Sequence, residues 1–184
     1  MRSIGKWIAI TGGAAEGKTV VSRALTEQGF KCASADSVVS DLWDDPETVE
    51  ELAIALGLEG DVTREMVRRE AFAEPEVRRK LNDFFHGRVM DELIATEAEF
   101  VEIPLLIETC LHPLFDAVWV VCCGEDEQRR RLAARGLTEI QIDQLLASQL
   151  SAPVRKQFAD RIIRTNESLE SVHEQVLDAI ECSG

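Results

Sequence analysis

Short apolar runs alternate with longer helical patterns along the chain. Residues 7–11, 31–35, 100–103, 117–122 and 161–164 have the length and β-branched content of buried strands. Helical periodicity fills 18–28, 126–135, 138–150 and 169–180, and recurs in several pieces within 36–96. Thr138 with Gln141 three residues on makes a capping box that starts the 138–150 helix. Alternation of this kind predicts a parallel sheet covered on both faces. The stretch 36–96 is too long for one crossover helix, and Glu74-Pro75 breaks it between two helices. No internal repeat and no Gly-, Pro- or Ser-rich linker is visible, so residues 1–184 are expected to form one domain with a helical insertion at about 36–96.

The segment between the first strand and the first helix carries chemistry. Gly12-Gly13-Ala14-Ala15-Glu16-Gly17-Lys18-Thr19 matches G-x-x-x-x-G-K-[ST] in full, straight after a strand and at the start of a helix. Such a P-loop turns consecutive backbone N–H groups toward a phosphate, and the positive end of the helix dipole adds to the attraction. Lys18 is expected to reach the β- and γ-phosphates of a nucleoside triphosphate and Thr19 to offer its hydroxyl to Mg²⁺. Glu16 puts a carboxylate inside this anion-binding loop; a side chain pointing to solvent would leave the backbone cradle unaffected. A P-loop alone does not separate a kinase from a GTPase, a motor ATPase or a nucleotide sensor. The chain has no N-K-x-D guanine-reading pattern, and 184 residues leave little room for motor elements. A small-molecule kinase with a lid remains.

Composition narrows the partners. With 34 acidic against 20 basic residues the formal net charge is −14, which argues against a general grip on nucleic acid. A hydrophobic content of 45% is enough to close a core. The basic residues fall in three blocks, 1–35, 61–90 and 128–164, while 36–60, 91–127 and 165–184 contain none. Anionic ligands would draw on those blocks. After the opening residues 1–6, only five strand-like residues precede the glycines, far short of a signal-peptide core or a membrane span, so a cytoplasmic location without membrane contact is expected. Cys32, Cys110, Cys122, Cys123 and Cys182 form no C-x-x-C pair and no zinc-finger spacing, and read as reduced, mostly buried thiols.

Further landmarks lie in a fixed order. The P-loop is followed by Ser34-Ala35-Asp36 at the end of the second strand and Arg69-Glu70-Ala71-Phe72-Ala73-Glu74-Pro75 ahead of Leu81-Asn82 and His86. Pro104-Leu105-Leu106-Ile107-Glu108 comes after the third strand, then the Gln128…Arg131…Arg135 helix, and finally Ala159-Asp160-Arg161-Ile162-Ile163…Asn166. Together these resemble the dephospho-coenzyme A kinase family across almost the whole chain. The resemblance implies ATP-dependent phosphorylation of the ribose 3′-hydroxyl of dephospho-CoA, the last step of coenzyme A synthesis. The fold it implies is α/β, a nucleotide-kinase-like three-layer sandwich of five parallel strands with helices on both faces. The 36–96 arm would bind substrate, and a lid would span about 128–158.

Residue by residue, the resemblance makes Gly13, Ala14, Ala15, Glu16, Gly17, Lys18, Thr19 and Val20 the ATP-binding stretch. Asp36 matches the second Asp of the family's D-A-D and would orient or deprotonate the attacking hydroxyl, a role that phosphoryl transfer requires of some carboxylate; it could also cap the following helix, and the two roles are compatible. Arg131 and Arg135, four apart on one helical face, fall where lid arginines would cover ATP. Arg129 and Arg130 are expected to be solvated charge. Arg155 is adjacent to the lid, as a nucleotide contact or a surface ion pair. Arg68, Arg69 and Arg78 would face the substrate. Glu108 could hold a substrate group or a water on the metal, and His86 could touch substrate or pack between helices.

Several residues depart from the family pattern. Ser34 replaces the first Asp of D-A-D, Ala14 and Ala15 stand in a loop usually richer in glycine, and Gly87 replaces a proline. Glu102 puts a carboxylate in a strand that is aliphatic in the family, costly unless it is paired or near a metal. It lies where many P-loop enzymes place an acid that organises Mg²⁺, so Thr19 and Glu102 are the expected metal residues. The rival readings are a kinase of another nucleoside, nucleotide or small alcohol, and an ATP-binding regulatory module without turnover.

Overall fold

The computed structural model describes residues 5–58, 60 and 62–182; the opening residues 1–4 lie outside them. Strands β1 (Ile8–Thr11), β2 (Cys32–Ser34), β3 (Phe100–Glu102), β4 (Ala117–Cys122) and β5 (Arg161–Arg164) form one sheet in the order β2-β3-β1-β4-β5. β1 runs parallel to β3 and β4, and β4 parallel to β5. Between them lie α1 (Lys18–Glu27), α2 (Ala35–Asp44), α3 (Pro46–Leu56), α4 (Arg64–Ala73), α5 (Pro75–Ala95), α6 (Glu125–Ala134), α7 (Glu139–Ala147), α8 (Ala152–Arg155) and α9 (Leu169–Glu181).

On one face of the sheet Ile8, Ile10, Phe100, Trp119, Val121 and Ile163 pack with Val21, Ala24 and Leu25 of α1 and Val172, Val176 and Ala179 of α9. The alternate positions Ala9, Val101, Val118 and Val120 are buried too. Both faces are therefore covered, which is why these strands read as unbroken apolar runs rather than alternating ones.

By its contacts the chain divides into two compact units, residues 1–33 with 98–184, and residues 34–97. The second has its own apolar centre of Leu52, Leu56 and Val67, surrounded by Trp43, Val77, Leu81, Phe84 and Phe85. Asp45 caps α3, its carboxylate accepting from Thr48 N at 3.0 Å, with Pro46 opening the helix.

Several element ends lie a residue or more from the sequence pattern, and two of these shifts have a visible cause. The second strand stops at Ser34, whose side chain accepts from Ser37 N and so starts α2 at Ala35. The capping box at Thr138 is present, but α7 ends at Ala147 rather than 150. The N–H of Leu150 instead donates to Glu108 Oε1 at 2.9 Å, and Pro153 opens α8.

Candidate active site

The loop between β1 and α1 is shaped by what its neighbours leave room for. A Cβ on Gly12 would lie 2.6 Å from the carbonyl oxygen of Val121, so the chain leaves the sheet there only without a side chain. Ala15 and Gly17 take positive φ values of 59° and 94°, curling the backbone before α1 begins at Lys18. The first amides of a helix have no intrahelical partner, and with the dipole they favour an anion. Lys18 Nζ donates to the carbonyls of Gly12 at 3.0 Å and Gly13 at 3.2 Å, folded back over the loop.

Side chains from distant segments hold the loop from behind. Gln128 Nε2 donates to Ala14 O at 2.8 Å, and Gln149 Oε1 accepts from Ala14 N at 3.1 Å. Arg131 Nη1 donates to Ala15 O at 3.2 Å and to Thr165 Oγ1 at 3.1 Å, while Nη2 donates to Thr165 O. The Thr165 hydroxyl in turn donates to Glu16 O at 2.6 Å. Hydrogen bonds from Arg130 and Arg131 bring the Glu127 carboxyl from its usual 4.5 down to about 2.

Glu16 does not point to solvent. Its side chain is 1% exposed, and Oε2 accepts from Gly13 N and from Arg155 Nη2, the latter at 2.6 Å. Arg155 is 4% exposed and also donates to Leu150 O. A buried carboxylate is tolerable here because a buried guanidinium neutralises it. Arg155 therefore forms an interior ion pair, not the surface pair that was one of its two expectations.

At the end of β3, Glu102 Oε1 lies 3.5 Å from Thr19 Oγ1, and Oε2 accepts from Ser22 Oγ at 3.2 Å. Two hydroxyls thus relieve the strand carboxylate. A carboxylate beside a hydroxyl is the hard-oxygen chemistry that suits Mg²⁺, which commonly takes one or two protein oxygens together with phosphate and water. No cluster of three His, Cys, Asp or Glu side chains able to hold a metal occurs among the described residues. Glu108 uses Oε1 on Leu150 N, while its Oε2 is buried without a partner. Arg135, at the end of α6, is exposed and makes no side-chain hydrogen bond among the described residues.

In residues 34–97, Asp36 is exposed in the first turn of α2; Ser34, not Asp36, is the cap. Arg68 and Arg78 line a groove of about 360 Å³ with Trp43, Val67 and Leu81. Arg69 points into an ion pair with Glu70 at 3.2 Å. His86 is exposed, so it does not pack between helices, and α5 runs on through Gly87.

The family model described as dephospho-CoA kinase matches residues 6–171. The chain belongs to the dephospho-CoA kinase family. A dephospho-CoA kinase of Streptococcus mutans is 31% identical over 186 residues, covering 93% of this chain and 94% of that one. A crystal structure of a Thermus thermophilus protein superposes with a TM-score of 0.81 at 28% identity, covering 95% of each chain. A dephospho-CoA kinase from Campylobacter jejuni, at 22% identity, shares the fold with a TM-score of 0.66 over 95% of this chain and 94% of that one.

Within this member of the dephospho-CoA kinase family, one unit gathers Gly13–Thr19, Glu102, Arg131 and Arg155, as the contacts above show. Three residues that hold the loop were not assigned that work from sequence. Gln128 was visible only as a landmark, and Gln149 only as part of the 138–150 helical pattern. Thr165 gave no signal, since a threonine after a strand reads as an ordinary turn residue. Arg129 and Arg130 were expected to be solvated; Arg129 pairs with Glu125, Glu139 and Asp143, and Arg130 with Glu127. Two cysteines, Cys110 and Cys182, are exposed rather than buried. No described helix is long and apolar enough to cross a membrane.

Proposed function

We propose that this chain transfers the γ-phosphoryl group of ATP to the ribose 3′-hydroxyl of dephospho-CoA, giving coenzyme A and ADP. The observation that carries the reading is a complete P-loop, curled and held from behind, in a chain whose family match runs over residues 6–171.

The amides of Gly13 and Ala14 stay with Glu16 and Gln149, while the later loop amides and Lys18 bind the phosphates, for which Lys18 gives up the carbonyls of Gly12 and Gly13. Thr19 and Glu102 would hold Mg²⁺, which when bound neutralises charge on the phosphate oxygens. Asp36 orients the acceptor hydroxyl and takes its proton. Arg135, unengaged, meets the phosphate oxygens. Arg131 can join it only by releasing the carbonyls of Ala15 and Thr165. Residues 128–158 serve as the lid and 36–96 as the substrate arm of one kinase domain, with Arg68 and Arg78 facing the anionic acceptor, and Arg69, His86 and Glu108 as further contacts. The enzyme works in the cytoplasm and needs neither nucleic acid nor membrane.

The test is ADP release from ATP and Mg²⁺ with dephospho-CoA beside a panel of nucleosides, nucleotides and small alcohols. Turnover with dephospho-CoA supports the reading. Turnover only with another acceptor replaces it with a different kinase, and ATP binding without turnover replaces it with a regulatory module. Asp36→Asn is expected to remove most of the activity while leaving ATP affinity nearly unchanged; an equal loss of both would mean that Asp36 does not act on the acceptor.

A further inference from the structure

The phosphate-binding role of the loop does not account for the buried pair behind it. Glu16 and Arg155 are separated by 139 residues, meet at 2.6 Å, and are exposed by only 1% and 4%. We propose that they are positioning residues that lock the P-loop to residues 149–155, so that the phosphate-binding form of the loop depends on the seating of that segment.

Several contacts converge on this reading. Gln149 accepts from Ala14 N, and Arg155 pairs with the Glu16 carboxylate, which itself holds Gly13 N. Leu150, between the two anchors, is fixed at both ends, its carbonyl accepting from Arg155 and its N–H donating to Glu108. Residues 149–155 are thus fastened to residues 13–16 at two separate points. The enclosure is tight around Gly13. A Cβ there would lie 2.7 Å from Gln128 Nε2, 2.8 Å from Arg155 Nη2 and 3.0 Å from Glu16 Oε2. Gly13 has no positive φ, so a side chain at this position would be opposed by the network, which would have to shift, rather than by backbone conformation.

Charge gives the pair a distinctive signature. Glu16 is an acid in a loop that must attract phosphates, and Arg155 cancels it in a low-dielectric setting where a lone charge is costly. Removing Arg155 leaves a net negative charge behind the loop. Removing the Glu16 charge leaves a net positive one. Both release the segment, but they alter the field at the phosphates in opposite senses. A pair that merely stabilised the fold would lower stability without this split.

The experiment compares Glu16→Gln, Arg155→Met and the double variant Glu16→Gln/Arg155→Met, measuring kcat, ATP affinity and thermal midpoint. The kinetic arm rests on the proposed phosphoryl transfer. Breaking a buried pair from one side is the more damaging change, so each single variant is expected to lose about tenfold or more in kcat. ATP affinity is expected to weaken about tenfold in Arg155→Met and to hold or tighten in Glu16→Gln. The double variant should lose less than the product of the two single losses. Wild-type kcat in both single variants, ATP affinity shifting the same way in both, or fully multiplicative losses would each overturn the proposal.

Hydrogen exchange supplies an arm that needs no acceptor. In Glu16→Gln the amides of residues 13–16 and of 149–155 should lose protection together, and loss in only one segment would overturn the coupling. Should the wild-type enzyme fail to turn over dephospho-CoA, the functional reading fails, while the exchange result still decides whether the two segments are locked.

Discussion

Replacing Gly17 with alanine tests whether the loop is held as tightly as its contacts indicate. Gly17 has φ 94° and ψ 22°, a left-handed conformation that disfavours a side chain by about 1–2 kcal/mol. The added Cβ would lie 2.7 Å from Thr165 Oγ1, 3.0 Å from its Cβ and 3.1 Å from its Cγ2. Thr165 is 4% exposed and cannot turn aside freely, because its hydroxyl donates to Glu16 O and accepts from Arg131. Overpacking of this kind typically adds about 1–3 kcal/mol. A total near 3 kcal/mol lowers the thermal midpoint of a chain this size by roughly 6–12 °C if the loop keeps its shape. If the loop shifts instead, the same energy appears as a loss of ATP affinity of about a hundredfold. Differential scanning fluorimetry and titration with a fluorescent ATP analogue distinguish the two. In a Thr165→Ala background, which removes Oγ1 and Cγ2 but not the backbone strain, Gly17→Ala should cost roughly half as much. A Gly17→Ala protein with a midpoint within about 1 °C of wild type and ATP affinity within about twofold would refute the reasoning.

Three other expectations follow from separate features. Glu102→Val should raise the Mg²⁺ concentration needed for half-maximal turnover by about tenfold, the equivalent of one lost charge-assisted contact; unchanged Mg²⁺ dependence would remove Glu102 from the metal site. Burial pushes the Cys123 thiol up to about 11, so it stays protonated at about pH 8. Iodoacetamide should therefore label exposed Cys110 and Cys182 in the native protein and spare Cys122 and Cys123, and peptide mass mapping that found all four equally modified would contradict this. The hydrogen bond that His173 Nε2 donates to Glu27 Oε2, 2.6 Å away, raises the His173 pKa above its ordinary 6.5. A raised folded-state value means that the link between α1 and α9 contributes fully below about pH 6.5 and fades as pH climbs through the raised value. The difference in urea midpoint between wild type and Glu27→Gln should thus be larger at about pH 5.5 than at about pH 8.5, and the reverse order would exclude the pair as its source.

The fold was largely legible because its determinants are local. Five short apolar runs, the glycines of the loop and the Thr138 box each act within a few residues, and the strands and helices they announce are present to within a residue or two at most ends. The exceptions arise where a distant side chain intervenes. Leu150 leaves the helical pattern because Glu108, 42 residues away, takes its N–H. The site shows the same division. Gly12, Gly17 and Lys18 could be read from spacing, since the loop needs them wherever it occurs. The interior position of Glu16 could not, because a carboxylate in that loop is explicable only with Arg155 behind it, and sequence separation hides the pairing. Ser34 was first noted as a missing acid; its hydroxyl is the cap that places Asp36 in the first turn of α2.

The distribution of ion pairs alters the meaning of an acidic chain that binds polyanions. Eight of the thirteen arginines in the second and third basic blocks are matched to acids: Arg64 to Asp44, Arg69 to Glu70, Arg79 to Glu76, Arg88 to Glu51, Arg129 to three carboxylates, Arg130 and Arg131 to Glu127, and Arg155 to Glu16 in the interior. Exposed pairs of this sort add little stability, but they cancel the field that a basic block would otherwise project. What remains for phosphate is a small set of local donors. In the sheet-containing unit these include the amides at the N-terminus of α1 and the Arg135 guanidinium; in residues 34–97 they include Arg68 and Arg78, which make no ion pair among the described residues. Beyond about 8 Å at physiological salt the net charge of −14 is largely screened, whereas hydrogen bonds inside the loop are not. Anion recognition in this chain is therefore a matter of contact geometry. That is also why neutralising the single acid within the loop, Glu16, has greater consequence than the acidic excess spread over the rest of the molecule.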